Sequence, residues 1–229
     1  QEMSPQYRQL ILSDALTPVS QLSGAFLRPE SPVHLQFAYY EASLVVEYLI
    51  EEFGLPALKQ VLDDLGDGMP LADAFRRHVA SQDFLDREFA SFAHRRAERL
   101  GPEADWQVPE WPPDADLTQV SEWNRTHPQS FWGLREQVKQ LLAARNWRAA
   151  EAPLLKLATL VPTDRGEESA YRLLAIVYQK LKDTPREQAM WDRVAELDSD
   201  AQDAYGRLME LADQRGDWPQ VARNAHRML

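Results

Sequence analysis

Cysteine is absent from the 229-residue chain, so disulfides, thiolate nucleophiles and zinc sites with sulfur ligands drop out together. Glycine is sparse at nine residues, and the β-branched residues number only 22 (13 Val, 3 Ile, 6 Thr) against 30 Leu and 28 Ala. That balance favours helix throughout and excludes an all-β or parallel-sheet fold. Long apolar runs are also missing: none approaches the roughly 20 residues that a helical bilayer span needs. The first residues lack a basic stretch followed by an apolar one, so no signal peptide is visible. Positive charge is not in excess either. The net charge is −11, divided as −6 over residues 1–100, −5 over 101–128 and 0 over 129–229. Without a basic stripe, neither nucleic acid nor an anionic membrane surface is expected as a partner.

What is present is enough for packed cores. At 44% hydrophobic residues the chain is not disordered, and its length allows one or two domains at about 150 residues each. Composition separates three zones: a helical subdomain over 1–100, a connector over 101–128 and an array over 129–229. Five prolines (Pro102, Pro109, Pro112, Pro113, Pro128) keep the connector from being one long helix. Its Trp106, Trp111 and Trp123 are costly to leave in water, which favours a connector lying against a neighbouring surface over a loose linker.

The array carries the firmest pattern. At an offset of 34 residues, Tyr171/Tyr205, Leu174/Leu208, Ala175/Met209, Tyr178/Ala212, Asp183/Asp217, Trp191/Ala225 and Val194/Met228 fall in register. An earlier unit matches after a three-residue insertion around Arg165–Glu167, through Leu134, Val138, Leu141, Asn146, Trp147, Ala150, Leu154, Leu157 and Pro162. Small residues such as Ala150 and Ala175 let two helices approach, Gly216-Asp217-Trp218 reverses the chain, and Pro162 stops a second helix. A period of this length implies stacked helix hairpins. The array resembles the tetratricopeptide repeat, with three units at 129–163, 168–201 and 202–229. Glu187 departs from the pattern, standing where a small residue is usual.

In the first zone, Phe37–Phe53 has 12 apolar or tyrosine positions in 17 and reads as a central, mostly buried helix. Gly54 should end it and Leu55-Pro56 start the next, which places Leu58, Val61, Leu62 and Leu65 on one face. After a turn at Gly66-Asp67-Gly68, a helix with Leu71, Ala74 and Phe75 follows. A last one buries Phe84, Leu85, Phe89 and Phe92. The order Tyr40-Glu-Ala-Ser-Leu-Val-Val-Glu-Tyr-Leu, Phe53-Gly54, a Leu-rich helix, a Gly turn and an Ala-Phe helix resembles the C-terminal helical part of thermolysin-like (gluzincin) zinc peptidases. It is similar in particular to peptidase-like domains that bacteria fuse to tetratricopeptide repeats. The resemblance covers residues 16–100. It implies that Tyr40 steadies an oxyanion in a longer parent, since a phenol can donate to developing negative charge. The alternative for Tyr40 is a buried helix tyrosine with a local partner.

Zinc ligation in that family uses H-E-x-x-H plus a later glutamate, and this chain has no such motif. Its histidines are His34, His78, His94, His127 and His226, none paired at i, i+4 around a glutamate, so no metal site and no cofactor are expected in this chain. Zinc belongs to the longer parent that the resemblance implies. Glu47 and Glu51 lie one turn apart and read either as paired carboxylates or as a solvated face. No Gly-rich phosphate loop and no Gly-x-Ser-x-Gly elbow occurs.

In tetratricopeptide arrays the first helix of each hairpin lines the concave face. Registering the repeats puts Trp132, Arg135, Lys139 and Leu142, then Arg172, Ile176, Gln179 and Lys180, then Asp203, Glu210 and Asp213 on that face. Such a groove grades from basic to acidic and suits a peptide with an acidic segment near Lys139, Arg172 and Lys180; the same residues also read as an ordinary solvated face. The expectation is therefore an all-α protein, a helical subdomain followed by a short tetratricopeptide α-solenoid, serving as a non-catalytic protein-protein interaction or scaffold module. The alternative is a C-terminal fragment of a zinc metallopeptidase whose H-E-x-x-H part lies outside the chain. The abrupt start at Gln1 and the end at Leu229 within a helical pattern fit a fragment. A soluble protein is expected; its compartment stays open, an extracytoplasmic place in a bacterium being one option.

Overall fold

A computed structural model describes residues 3–13, 15–112 and 114–228. Gln1, Pro113 and Leu229, which figured in the reading above, lie outside the described residues. The protein is all-α. Twelve α-helices and one 3-10 turn occur among the described residues, with no strand. The chain divides into two compact units, Gln1–Leu100 and Gly101–Leu229.

In the first unit, α1 (Pro5–Leu12) starts where the Ser4 hydroxyl accepts the Tyr7 N–H at 3.1 Å and Pro5 fills a position that needs no donor. A 3-10 turn (Val19–Gln21) leads into α2 (Leu22–Leu27). The long α3 (Pro32–Gly66) opens the same way, with Ser31 as cap and Pro32 behind it. It breaks at Gly54, whose φ of 82° and ψ of 155° lie outside the helical region. Glycine tolerates that conformation without a Cβ penalty, and Pro56 then sits in the first turn of the continuing helix. Helices α4 (Leu71–His78) and α5 (Gln82–Glu98) complete the unit.

Its core joins Ile11 of α1, Phe37, Tyr40, Leu44, Tyr48, Leu49 and Val61 of α3, Phe75 of α4, and Leu85, Phe89 and Phe92 of α5. Two expected core positions differ. Leu62 is 57% and Phe84 40% exposed. The buried stripes are Leu58–Val61–Leu65 and Leu85–Phe89–Phe92. A residue next to such a stripe is rotated about 100° away, so a helix covered on one side turns it out. Phe84 instead lies under the Arg87 guanidinium, 5.7 Å from its ring centroid.

The second unit includes residues 101–128. The Trp106 indole N–H donates to the Gly101 carbonyl at 3.0 Å, and its ring lies 4.6 Å from that of Phe131. A short parallel bridge ties Asp105 to Ser130. Trp123 donates to Ser130 Oγ at 3.2 Å, stacks on His127 at 3.8 Å and meets Trp111 edge-on at 6.1 Å. Helix α6 (Leu117–Thr126) begins with a reciprocal capping box between Asp116 and Gln119. It packs on α7 (Phe131–Ala143) across Gly133, where a Cβ would collide with Asn124 Oδ1.

Six helices follow: α7 (Phe131–Ala143), α8 (Trp147–Leu160), α9 (Ala170–Leu181), α10 (Thr184–Leu197), α11 (Gln202–Asp213) and α12 (Trp218–Met228). Each packs on its neighbour in sequence. Short links close the pairs α7/α8, α9/α10 and α11/α12, with Asn146 and Asp183 accepting backbone N–H groups at the starts of α8 and α10. Apolar residues seal the pairs, among them Leu134, Val138 and Leu154, then Leu174, Tyr178, Trp191 and Val194, then Tyr205 and Leu208. The unexpected Glu187 is 2% exposed and accepts the Arg207 Nε–H at 2.7 Å, so a buried ion pair joins α10 to α11.

Candidate functional site

A concave feature lined by charged and apolar residues lies in the second unit. A cavity of about 460 Å³ is bounded by Glu167 from the α8–α9 link, Arg172 and Ile176 of α9, Trp191 of α10, Asp200 from the α10–α11 link, and Gln202 and Asp203 of α11. The helix starts place these groups. Ala170 opens α9 so that Arg172 and Ile176, four residues apart, share one face. The turn before α11 then brings Asp198, Asp200 and Asp203 opposite that face.

Arg172 is held firmly. Its Nη2 donates to Asp198 at 3.1 Å and its Nη1 to Asp203, while Nε is buried with no acceptor. Trp191 is 8% exposed, and its indole N–H is likewise buried and unpartnered. An indole N–H normally finds a partner when buried, and an orphaned buried donor costs about 1–3 kcal/mol. Both donors are covered by surrounding protein atoms. At its mouth, Glu167 and Asp200 are exposed and paired with no cation among the described residues. Four carboxylates (Glu167, Asp198, Asp200, Asp203) therefore surround the single guanidinium of Arg172, and the cavity is acidic. Nearby, burial pushes the Asp164 carboxyl up from its usual range, against the pull of the Gly166 N–H and Arg135.

This differs from the basic end expected of the groove. Arg135 is paired with Glu168, Arg172 with two aspartates, and Lys139 with Glu136 at 3.1 Å, so these cations are largely neutralised within the unit. Gln179 and Lys180 are exposed and do not line the cavity. Trp132 packs edge-on against Phe131 and lies 6.5 Å from Trp106. Of the seven residues assigned to peptide binding, only Arg172 and Ile176 line the cavity. Trp191, Glu167, Asp200 and Gln202, which also line it, were not singled out from sequence. Trp191 matches Ala225 in register and reads as packing, while the other three lie at or beside links between hairpins, where periodicity says nothing about neighbours.

A second hollow, about 540 Å³, is bounded by Trp111, Thr118, Gln119, Glu122, Trp123 and Thr126. Its one carboxylate, Glu122, is bound by Arg125 at 2.6 Å, which leaves no free charge to select a ligand.

In the first unit, Tyr40 does not face a cleft. It is 3% exposed, its hydroxyl donates to the Met3 sulfur at 3.6 Å, and its ring stacks on Tyr7 at 4.7 Å. Apolar surface of the α1 region covers it, so the open position needed to meet an oxyanion is filled. The neighbouring Glu41, not singled out from sequence, is 1% exposed. It accepts the Thr17 backbone N–H at 2.6 Å and the Thr17 hydroxyl at 3.1 Å. Burial pushes its carboxyl up to about 7, although both Thr17 bonds pull the other way. Glu47 and Glu51 both bind Arg96, Glu47 at 3.2 Å, and so form a charge cluster on the surface. An exposed apolar face remains on α3 at Tyr39, Val46 and Ile50.

The histidines are scattered. His34 Nδ1 lies 2.9 Å from Ser31 Oγ, His78 Nε2 lies 2.7 Å from Asp64, and His127 stacks on Trp123. Among the described residues no three His, Asp or Glu side chains converge as metal ligands. No helix there is long and apolar enough to cross a membrane. No family model, curated protein or solved structure matches the chain.

Proposed function

We propose that the second unit is a protein-interaction module made of tetratricopeptide-type helix hairpins, which holds a peptide segment of a partner and performs no chemistry itself. The observation that carries this reading is the cavity between α9, α10 and α11, where Ile176 and Trp191 offer apolar surface beside the carboxylates of Glu167, Asp200 and Asp203. The 34-residue register and the pairing of α7/α8, α9/α10 and α11/α12 support the same assignment.

Selection of displayed random dodecapeptides on the full chain, followed by anisotropy titration of the enriched sequences, tests it. Dissociation constants in the micromolar range, on the order of 10⁻⁶ M, are expected. Ile176→Asp should weaken binding at least about tenfold, since it buries a new charge against the ligand. Enrichment of no sequence, or equal binding by Ile176→Asp, would remove the reading.

A second reading draws on the exposed Tyr39, Val46 and Ile50 face of α3. Here the first unit is the C-terminal part of a zinc metallopeptidase, and helices bearing the zinc ligands of a longer parent cover that face. The cover over Tyr40 weighs against it. Zinc content and peptide hydrolysis by a longer parent protein would decide; a parent without stoichiometric zinc ends this reading.

A further inference from the structure

We propose that residues 16–21 of the first unit form a proton-operated lid, closed over α3 and α5 while Glu41 is protonated and opening as Glu41 ionises. This segment links α1 to α2, and two carboxylates tie it down. Both Glu41 oxygens meet Thr17, one accepting its backbone N–H at 2.6 Å and the other its hydroxyl at 3.1 Å. Both Asp86 oxygens meet Ser20 in the same way, at 2.9 and 2.7 Å. Little else holds the segment: none of residues 16–21 is buried, and Leu16 and Val19 are its apolar contacts with the core. A stretch with so few apolar contacts opens at lower free energy than the helices beneath it.

The two ties differ in what ionisation costs. The Ser20–Asp86 bonds lie in the open, where water reaches the carboxylate. Glu41 is 1% exposed, with the lid directly on its carboxyl head. A protonated Glu41 keeps both contacts, because its carbonyl oxygen accepts the Thr17 N–H and its O–H donates to the Thr17 hydroxyl. An ionised Glu41 under a closed lid is a buried charge, and lifting the lid lets water solvate it. No nearby charge relieves that cost. On α5, Asp86 is bound to Ser20, His94 lines the space next to Thr17, and Arg96 is bound to Glu47 and Glu51. Arg8 of α1 is drawn to Glu98, His34 of α3 lies beside Ser31, and α4 keeps its cations on Asp64 and Asp73. Neither the 3-10 turn nor α2 carries a titratable side chain. Burial raises the Glu41 carboxyl from 4.5 to about 7, against the pull of both Thr17 bonds. Protonation therefore favours closure fully below 4.5, and that advantage is lost as pH rises through 7. Opening uncovers Phe89, Ala90 and His94 of α5, which with the lid enclose a hollow of about 150 Å³.

Hydrogen exchange of the full chain, followed by NMR at single amides, tests the lid. With the intrinsic exchange rate divided out, Thr17 protection should fall about tenfold between pH 6 and pH 8, the ratio given by a carboxyl at 4.5 when open and about 7 when closed. Low urea should leave Thr17 exchange unchanged while it speeds exchange at Leu44 and Tyr48, which separates lid opening from unfolding of the unit. In Glu41→Gln, Thr17 protection should be flat over the same range. His94→Gln should keep the tenfold fall, and Asp86→Asn should lower Thr17 protection at every pH while keeping the same fall.

Flat Thr17 protection in the wild type, or a fall that persists in Glu41→Gln, would overturn the proposal. Thr17 exchange with the protection and urea dependence of Tyr48 would do so too, because the segment then opens only with the whole unit. Loss of the fall in His94→Gln would assign the proton to His94 and overturn it as well.

Discussion

Replacing Glu41 by Gln separates the charge of a buried group from its hydrogen bonds. The amide oxygen still accepts the Thr17 N–H and the amide nitrogen still reaches the Thr17 hydroxyl, while the ionisation is gone. In the wild type, burial raises the carboxyl from 4.5 to about 7 in the folded state. The folded chain therefore keeps a proton that the unfolded chain releases, so the stabilising contribution is complete below 4.5 and is lost as pH rises through 7. At 1.36 kcal/mol per unit, the first unit should lose about 3 kcal/mol between pH 4 and pH 8 through this one group. Glu41→Gln removes that loss, so the variant should be about 2–3 kcal/mol more stable than wild type at pH 8 and close to it below pH 5. All seven tryptophans lie beyond residue 100, so their fluorescence follows the second unit alone, whereas far-ultraviolet circular dichroism follows both. Urea titrations read by both signals isolate the first unit, and comparing the two proteins cancels the other carboxylates. Parallel pH profiles for wild type and variant would refute the burial argument.

Other substitutions test the cores. Arg207→Met leaves Glu187 buried without its cation and should cost the second unit about 3–5 kcal/mol in tryptophan-monitored urea unfolding, with Glu187→Leu/Arg207→Met recovering most of it. Full recovery would be absent if the pair were strongly favourable in itself. Tyr40→Ala should cost about 3–5 kcal/mol by removing a packed ring, and Tyr40→Phe about 1 kcal/mol, both read by circular dichroism. A negligible effect of Tyr40→Ala would contradict the packing under Met3 and Tyr7.

Much of the fold was legible because helix signals are local. Gly54 between two apolar stretches, the turn at Gly66-Asp67-Gly68 and the apolar register of the later helices depend on residues near one another in the chain, and helices α3 to α5 and α7 to α12 fall where those signals put them. Leu62 and Phe84 were misread for a related reason: apolarity marks a candidate for burial, but the face that meets a neighbour depends on how many neighbours the helix has. The connector showed its tryptophans but not their partners, since Trp106 meets Phe131 and Trp123 meets Ser130 only after the chain turns back.

The site was far less visible. Composition and periodicity determined by themselves an all-helical chain, its hairpin rhythm, its lack of a sulfur or H-E-x-x-H metal centre, and the helix faces on which Arg172 and Ile176 stand. Tertiary structure decided what those residues meet. Arg172 is neutralised by Asp198 and Asp203, 26 and 31 positions away, and this turns an apparently basic groove acidic. Tyr40 is sealed by Met3 and Tyr7 from the α1 region, and Glu41 acquires its raised affinity for a proton only through burial in the folded unit, against the pull of its Thr17 bonds. The division follows from physics: helix formation and capping are governed by neighbours along the chain, whereas charge neutralisation, desolvation and access depend on groups that become neighbours only on folding.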